Sequence, residues 1–331
     1  MQQSSSPAPT SSVLTATRSR EERSSAGSSS KRPNKRVSEA IAAYLFLAPY
    51  LILLAVFTIF AVIYGFYLSF FRVDLGFSAP VFIGLRNYTS LWNQLFYHGG
   101  VGDFWISMIN IVKYAVAVVI GQTIFALVLA LLLHRVRFLQ GIFRTIFYLP
   151  AVTSSIAVSL IFLYLYTPQG GINYMLSWLH VIGPNWLSDP NSALPAIVLL
   201  NLWTTAPTFM IFYLGALQGL PTPIYEAAEV DGAGPFQIFW NITLPLLRPI
   251  TFLVIALGTI GAFQVFDQII IMTQPQGGPL KSTLTPVVEM YVTAFGNNKF
   301  GLAAAMSVVL FIFVFLITLV QRRFIDTDIQ Y

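Results

Sequence analysis

Residues 111–133 read IVKYAVAVVIGQTIFALVLALLL. Lys113 stands near the start and Gln122 near the middle, and almost everything else is aliphatic or aromatic. A helix needs about 20 apolar residues to cross the hydrocarbon of a bilayer, and this stretch supplies them. Five more stretches have the same character, at residues 40–70, 145–166, 194–217, 250–272 and 302–320. Pro150, Pro195 and Pro207 lie inside them. Neighbouring helices can satisfy the carbonyls that a proline frees, so these do not veto a span. The pattern predicts an all-α, polytopic membrane protein with six transmembrane helices.

Composition agrees. Of the 331 residues, 56% are hydrophobic and 9% charged, against roughly 25% charged in a soluble domain. There is too little polar side chain to coat a water-facing surface, so one membrane domain is expected where the length alone would suit about two soluble ones. The absence of cysteine excludes disulfides, thiolate metal sites and cysteine nucleophiles.

Residues 1–36 are a different material. Ser, Thr, Pro and Ala alternate there with Arg18, Arg20, Arg23, Lys31, Arg32, Lys35 and Arg36. Such a segment cannot bury enough apolar area to offset its chain entropy, so a disordered basic cytoplasmic tail is expected, followed by a membrane domain over 37–331. No short apolar run with a small-residue cleavage site opens the chain. The first apolar run is long enough to span and is expected to stay as an anchor. The net charge of +5 comes mostly from the tail. It bears on topology, and no nucleic-acid partner is implied.

Orientation follows from Lys and Arg. With the N-terminus inside, the tail, Arg135, Arg137, Arg144, Arg248, Arg322 and Arg323 place thirteen of the 18 basic residues on the cytoplasmic side. Arg72, Arg86, Lys113, Lys281 and Lys299 remain outside or at outer helix ends. Both termini are expected in the cytoplasm, and with them the loop between the fourth and fifth spans, residues 218–249.

That loop reads GLPTPIYEAAEVDGAGPFQIFWNITLPLLRP from Gly219 to Pro249. Thr222 as N-cap with Pro223 at the first helical position predicts a short helix over 224–230. Gly232 can supply the left-handed residue that ends it. Gly234–Pro235 opens a second helix, on which Phe236, Phe239 and Trp240 form an apolar stripe. Two short amphipathic helices at the inner face are expected. Resting on headgroups is one reading. Glu226, Glu229 and Asp231 argue against an anionic lipid surface and for a basic protein cleft.

Glu226-Ala227-Ala228, then Asp231-Gly232-Ala233, then Leu244-Pro245, resembles the EAA loop of ABC importer permeases. The similarity runs from about Ala43 to the C-terminus and is closest to the carbohydrate-uptake branch, with maltose and glycerol-phosphate permeases among its members. It includes Gly84-Leu85-Arg86-Asn87-Tyr88, the segment from Phe143 to Pro150, Gly170-Gly171-Ile172-Asn173, Trp203 with Pro207, Phe266-Asp267 and Gly277-Gly278-Pro279. The tail is not part of the pattern.

The resemblance implies a type I ABC importer permease fold with its core at about 107–322. In that family the loop is a coupling helix seated in a groove of a cytoplasmic ATPase. This assigns ATPase docking to Tyr225, Glu226, Ala227, Ala228, Glu229, Asp231, Gly232, Ala233, Leu244 and Pro245. Glu226 would pair with a basic residue of the groove, and Ala227 and Ala228 would allow close approach. The implied partners are a homologous second permease, two ATPase subunits and an extracytoplasmic solute-binding protein, in a bacterial or archaeal plasma membrane. ATP and Mg would bind the partner ATPase, with no cofactor on this chain.

The residues agree that this chain is not an enzyme. A phosphate-cradling loop ends in Gly-Lys-Ser/Thr, and no such string occurs. Gly258-Thr259-Ile260-Gly261 lies in a span without Lys and reads as small-residue helix packing. So do Gly301, Ala303, Ala305 and Ser307. His98, His134 and His180 are scattered, without metal-ligand spacing. Lys113 reads as a snorkelling anchor.

Polar groups inside spans mark a candidate substrate path: Gln122 in span two, Asn201 and Thr204 beside Thr205 in span four, and Gln264 with Asp267 in span five. Gln264 and Asp267 are expected on one helical face, with Asp267 near the outer end. An ionisable group in a span points to function, with a structural role as its alternative near the interface. Sugar hydroxyls suit amides and carboxylates. A phosphate would want clustered Arg or Lys, which the spans lack. Import of a sugar or oligosaccharide is therefore expected, with glycerol 3-phosphate or another polyol as the alternative. An ion-coupled secondary transporter would want intramembrane acids and internal repeats, and an enzyme would want paired acid and base groups at one depth.

Overall fold

The computed structural model describes residues 35–74, 79–96, 102–136 and 139–325. Residues 1–34 of the expected tail, with Arg137 and His98, lie outside them. Lys35 and Arg36, the tail's last residues, already belong to a helix. The chain forms two compact units, residues 1–62 and 63–331. The first contributes helix α1 (Lys35–Leu53) and a π-helical turn (Leu54–Ile59), after which α2 (Phe60–Leu68) continues.

In the second unit, β1 (Phe71–Arg72) pairs antiparallel with β2 (Val81–Phe82), Phe71 opposite Phe82. The helices that follow are α3 (Arg86–Phe96), α4 (Asp103–Arg135), α5 (Gln140–Val152), α6 (Ser155–Leu165), α7 (Gly171–Trp178) and α8 (Pro190–Gln218). The loop contributes α9 (Thr222–Val230), α10 (Pro235–Ile238), a π-helical turn (Phe239–Thr243) and α11 (Leu244–Leu246). The chain ends with α12 (Arg248–Phe263), α13 (Asp267–Thr273), α14 (Pro286–Tyr291) and α15 (Phe300–Ile325).

Among the described residues, four helical stretches are long and apolar enough to cross a membrane, or up to six if each of two bent pairs counts as one span. The four are Ala43–Leu68, Asp103–Arg135, Pro190–Gln218 and Phe300–Arg323.

Two expected spans are not continuous helices. The third breaks between α5 and α6, whose axes differ by 91°. Thr153 is extended there and Ser154 is non-helical. Pro150 has no N–H to give the preceding turn. The Thr153 amide bonds the Pro150 carbonyl, and its hydroxyl caps the Leu149 carbonyl at 2.9 Å. The fifth, expected over 250–272, ends at Phe263 and restarts at Asp267, with Gln264, Val265 and Phe266 between. The freed Val265 carbonyl accepts the Thr285 hydroxyl at 3.4 Å. Before α12 the chain turns 63° from the α10–α11 segment.

Helices α4 and α8 form the centre. Buried positions on α4 recur at Ala115, Val118, Gln122, Ala126, Leu129 and Leu133, and on α8 in two runs, Ala193, Ala196 and Leu200, then Ala206, Met210, Tyr213 and Leu217. The three- and four-residue steps within each run put its members on one helical face. Lipid tails are as apolar as leucine, so helices in a membrane associate through close packing, and small residues are favoured where they meet. The buried alanines fit that requirement.

Candidate functional site

A cavity of about 400 Å³ opens where α4, α8 and α12 meet the break before α13. Its polar lining is Gln122, Ser155, Asn201, Thr205, Gln264, Asp267 and Gln268. A second cavity of about 250 Å³ adjoins it through shared Ser155, Thr205, Phe209 and Gln268, and adds Thr153, Thr204 and Thr208. The structure brings all five expected path residues around these two spaces: Gln122, Asn201, Gln264 and Asp267 around the first, Thr204 around the second.

The arrangement of Gln264 and Asp267 differs from the expectation. They do not share a helical face, because Gln264 ends α12 and Asp267 begins α13. Both line the cavity because the helix breaks between them. Asp267 is then the first acid of a new helix, where the N-terminal dipole favours negative charge.

The centre of the site is a short polar chain. The Thr205 hydroxyl lies 3.0 Å from Gln122 Oε1 and 2.8 Å from the Asn201 carbonyl. Gln122 is 1% exposed, and its Nε2 has no hydrogen-bond partner among the described residues. The Ser155 hydroxyl is likewise buried and unpartnered. A buried polar group without a partner costs free energy comparable to a lost hydrogen bond, and a polar guest that bonded either group would recover that cost. Gly258 makes room for the amide, since a Cβ there would stand 1.9 Å from Gln122 Nε2. Close helix approach holds at Gly258, but at Gly261, the other glycine of that reading, an added Cβ would meet nothing within 4 Å, because Gly261 lines the cavity.

Ser155, Gln268 and Thr208 escaped the sequence reading. Gln268 was legible as a polar residue within an expected apolar span. Ser155 was not, since its place in the lining depends on the bend at Thr153–Ser154.

The loop of residues 218–249 forms the two short helices expected. Helix α9 starts one residue earlier than its capping pattern suggested. Pro221 is the N-cap, Thr222 is the first helical residue, and no side-chain cap bond forms. The end is as read. Gly232 has φ +80°, its amide bonds the Glu229 carbonyl at 3.1 Å, and the Ala233 amide bonds the Ala228 carbonyl at 2.9 Å. This pair of bonds is the Schellman motif, so Ala228, Gly232 and Ala233 together build the bend. Gly234 then caps α10, its amide donating to Gln237 Oε1 at 3.1 Å.

Glu226, Ala227, Glu229 and Asp231 are exposed on α9 and the bend. The three acids make no ion pair among the described residues. Tyr225 is half-buried, its hydroxyl 3.1 Å from Thr243 Oγ1, which ties α9 to the π-helical turn. Leu244 and Pro245 are half-buried at the approach to α12.

Residues 122–327 match the family described as binding-protein-dependent transport system inner membrane component. The chain is 35% identical over 282 residues to the probable ABC transporter permease protein YesP of Bacillus subtilis, covering 85% of this chain and 89% of that protein. It is 34% identical over 286 residues to the trehalose/maltose transport system permease protein MalF of Thermococcus litoralis, covering 86% and 94%. Its fold is similar to a chain in the crystal structure of a bacterial alginate ABC transporter in complex with alginate pentasaccharide-bound periplasmic protein. The TM-score there is 0.74 at 22% identity, over 87% of this chain and 95% of that one.

Proposed function

This chain belongs to the family of binding-protein-dependent transport system inner membrane components, and from that membership we propose that it is the carbohydrate-conducting permease subunit of an ATP-driven importer. The observation that carries the substrate class is the lining of the two adjoining cavities. It offers amides, hydroxyls and one carboxylate, and among the described residues no Lys or Arg. Sugar hydroxyls both donate and accept, so they can satisfy Gln122 Nε2 and the Ser155 hydroxyl. A phosphate would find no cation there, which disfavours glycerol 3-phosphate. The trehalose/maltose assignment of the Thermococcus relative agrees with a neutral sugar or oligosaccharide.

In this reading the permease domain has six spans with both termini cytoplasmic, the α5–α6 pair serving as one span and α12 as another, with α10–α11 on the cytoplasmic side. A second, homologous permease completes the path, two ATPase subunits bind below, and an external binding protein delivers the solute. The exposed acids of α9 enter a basic groove of the ATPase, and half-buried Tyr225, Leu244 and Pro245 hold the loop on α12. ATP-driven closure of the ATPases moves the loop, and the loop moves the two permeases between outward- and inward-open states.

The test is to purify the tagged chain in mild detergent from its native membrane. An ATPase and a second permease should come with it, and ATP hydrolysis by the complex should rise with the binding protein plus a neutral sugar and not with glycerol 3-phosphate. A chain that purifies alone, or a complex stimulated by the phosphate ester, would refute the reading.

A further inference from the structure

Where the first apolar span ends and the last begins, the chain gathers charge that the transport path does not use. Arg72 follows Leu68, the end of the first span, by four residues, and Lys299 directly precedes Phe300, the start of the last. Arg86 opens α3. These cations line one open cavity of about 530 Å³ together with Asn87, Ser90 and Asp74.

Among the described residues Asp74 is the only acid of this lining, and its carboxylate lies 3.2 Å from Arg72 Nε. Arg86 and Lys299 form no salt bridge within the described residues. The cavity therefore carries a net positive charge of about two, concentrated on those side chains.

Its walls are fixed. The Asn87 amide donates to the carbonyls of Ser69 at 2.8 Å and Phe71 at 3.1 Å, and the Tyr88 hydroxyl donates to Ser69 Oγ at 2.7 Å. The Phe300 amide donates to the Val73 carbonyl at 3.0 Å. At Gly301 an added Cβ would lie 1.9 Å from the Phe71 carbonyl oxygen, so any side chain would push β1 away from α15. The positions from which Arg72, Arg86 and Lys299 project are thus set by backbone contacts.

The surroundings identify the occupant. Tyr67, Phe82, Leu85 and Trp92 are all about half exposed or more around this end of the spans. Exposed aromatic residues at span ends mark the headgroup level of a bilayer. A cationic cavity at that level faces phosphate, and guanidinium groups match phosphate oxygens in pairs. We propose that this cavity binds the phosphate of an anionic phospholipid headgroup, held by Arg86 and Lys299 with Arg72 as the third cation. The lipid then clasps β1 and α3 to the start of α15.

The experiment places the full-length chain in bilayer nanodiscs of about three parts phosphatidylcholine to one part phosphatidylglycerol, and reads retained lipid by native mass spectrometry. The wild type should retain phosphatidylglycerol above its share of the bilayer. Each cation near a membrane surface contributes about a fivefold factor, so Arg86→Gln with Lys299→Gln should lower the preference roughly 25-fold. Arg144→Gln, a change at an exposed cation elsewhere, should leave it intact.

The wild type supplies a readout that does not depend on the variants folding. Its preference should weaken as sodium chloride rises from about 0.05 M to about 0.5 M, through screening. A wild type without preference, a preference indifferent to salt, or a folded double variant that retains phosphatidylglycerol as the wild type does would overturn the proposal. Unchanged lipid retention with lost capture of an external protein partner would do so too, and would reassign the patch to that partner.

Discussion

Gly258 lacks a side chain because the amide of Gln122 occupies the place where one would be, 1.9 Å from an added Cβ. Gly258→Ala must push Gln122 out of its position beside Thr205. Overpacking of this kind costs typically about 1–3 kcal/mol, which thermal unfolding in detergent should register. Shortening the partner with Gln122→Ser should restore most of the loss in the double variant, and additive losses would show that the clash is not the cause. In the loop, Glu226 is exposed and forms no salt bridge among the described residues. If it enters a basic groove, Glu226→Arg places like charges together and should weaken ATPase association by about 3–5 kcal/mol. Pull-down of the ATPase and uptake by whole cells both read this, and normal uptake would remove the docking assignment. Glu226 was legible from its motif. Gln122 was legible only as a polar residue in an apolar run, because its unpartnered Nε2 depends on α12 lying against it.

The bend after α9 is an element-scale feature with its own test. Gly232 holds φ +80° in open space, so a substitution there is strained by backbone conformation and not by crowding. A left-handed residue with a Cβ costs about 1–2 kcal/mol. Gly232→Ala should impair uptake, while Gly232→Asn should be milder because Asn tolerates this region. Equal effects from both would point to lost space. Tyr225→Phe removes the 3.1 Å bond to Thr243 and should lower loop stability by about 0.5–1.5 kcal/mol, seen as faster amide exchange across α9 with the spans unchanged. The loop's two helices and bend could be read directly because capping and glycine chemistry act within a few residues. The breaks at Thr153–Ser154 and Gln264–Phe266 could not. Both lie in segments whose composition suits a continuous helix, and the freed Val265 carbonyl is satisfied by Thr285, twenty residues away.

Across the whole molecule, the segment after α13 returns to the start of α4. The Asn110 amide donates to the carbonyls of Lys281 at 2.8 Å and Leu284 at 3.1 Å, and Lys281 pairs with Asp103. Glu289 on α14 faces this junction. Burial and the nearby Asp103 carboxylate raise its pKa above 4.5, and the Thr293 hydroxyl and Lys281 only partly oppose them. The folded protein therefore holds a proton that the unfolded chain releases at lower pH. The contribution of this group is full below about pH 4.5 and is lost as pH rises through the folded pKa, since stability falls where the native state binds more protons. Glu289→Gln should make the protein more stable at neutral pH and flatten the decline as pH rises above about 4.5. Thermal unfolding across that range checks it, and a variant less stable at pH 7 would show that the carboxylate is favourably paired.

Length and apolarity determined that this chain is a helical membrane protein, because the energetic demand of hydrocarbon on a backbone is local and can be counted along the chain. The loop from Gly219 to Pro249 determined its own bend and its family, because caps, glycines and short motifs act over a few residues. Tertiary structure alone decided where the spans break, which polar residues share a cavity, and that Gln264 and Asp267 meet across a break instead of along a helix. It also decided that Arg72, Arg86 and Lys299, widely separated in the chain, line one cavity. Those outcomes depend on which helix lies against which, and a carbonyl freed in one segment is satisfied by a hydroxyl that only packing brings near.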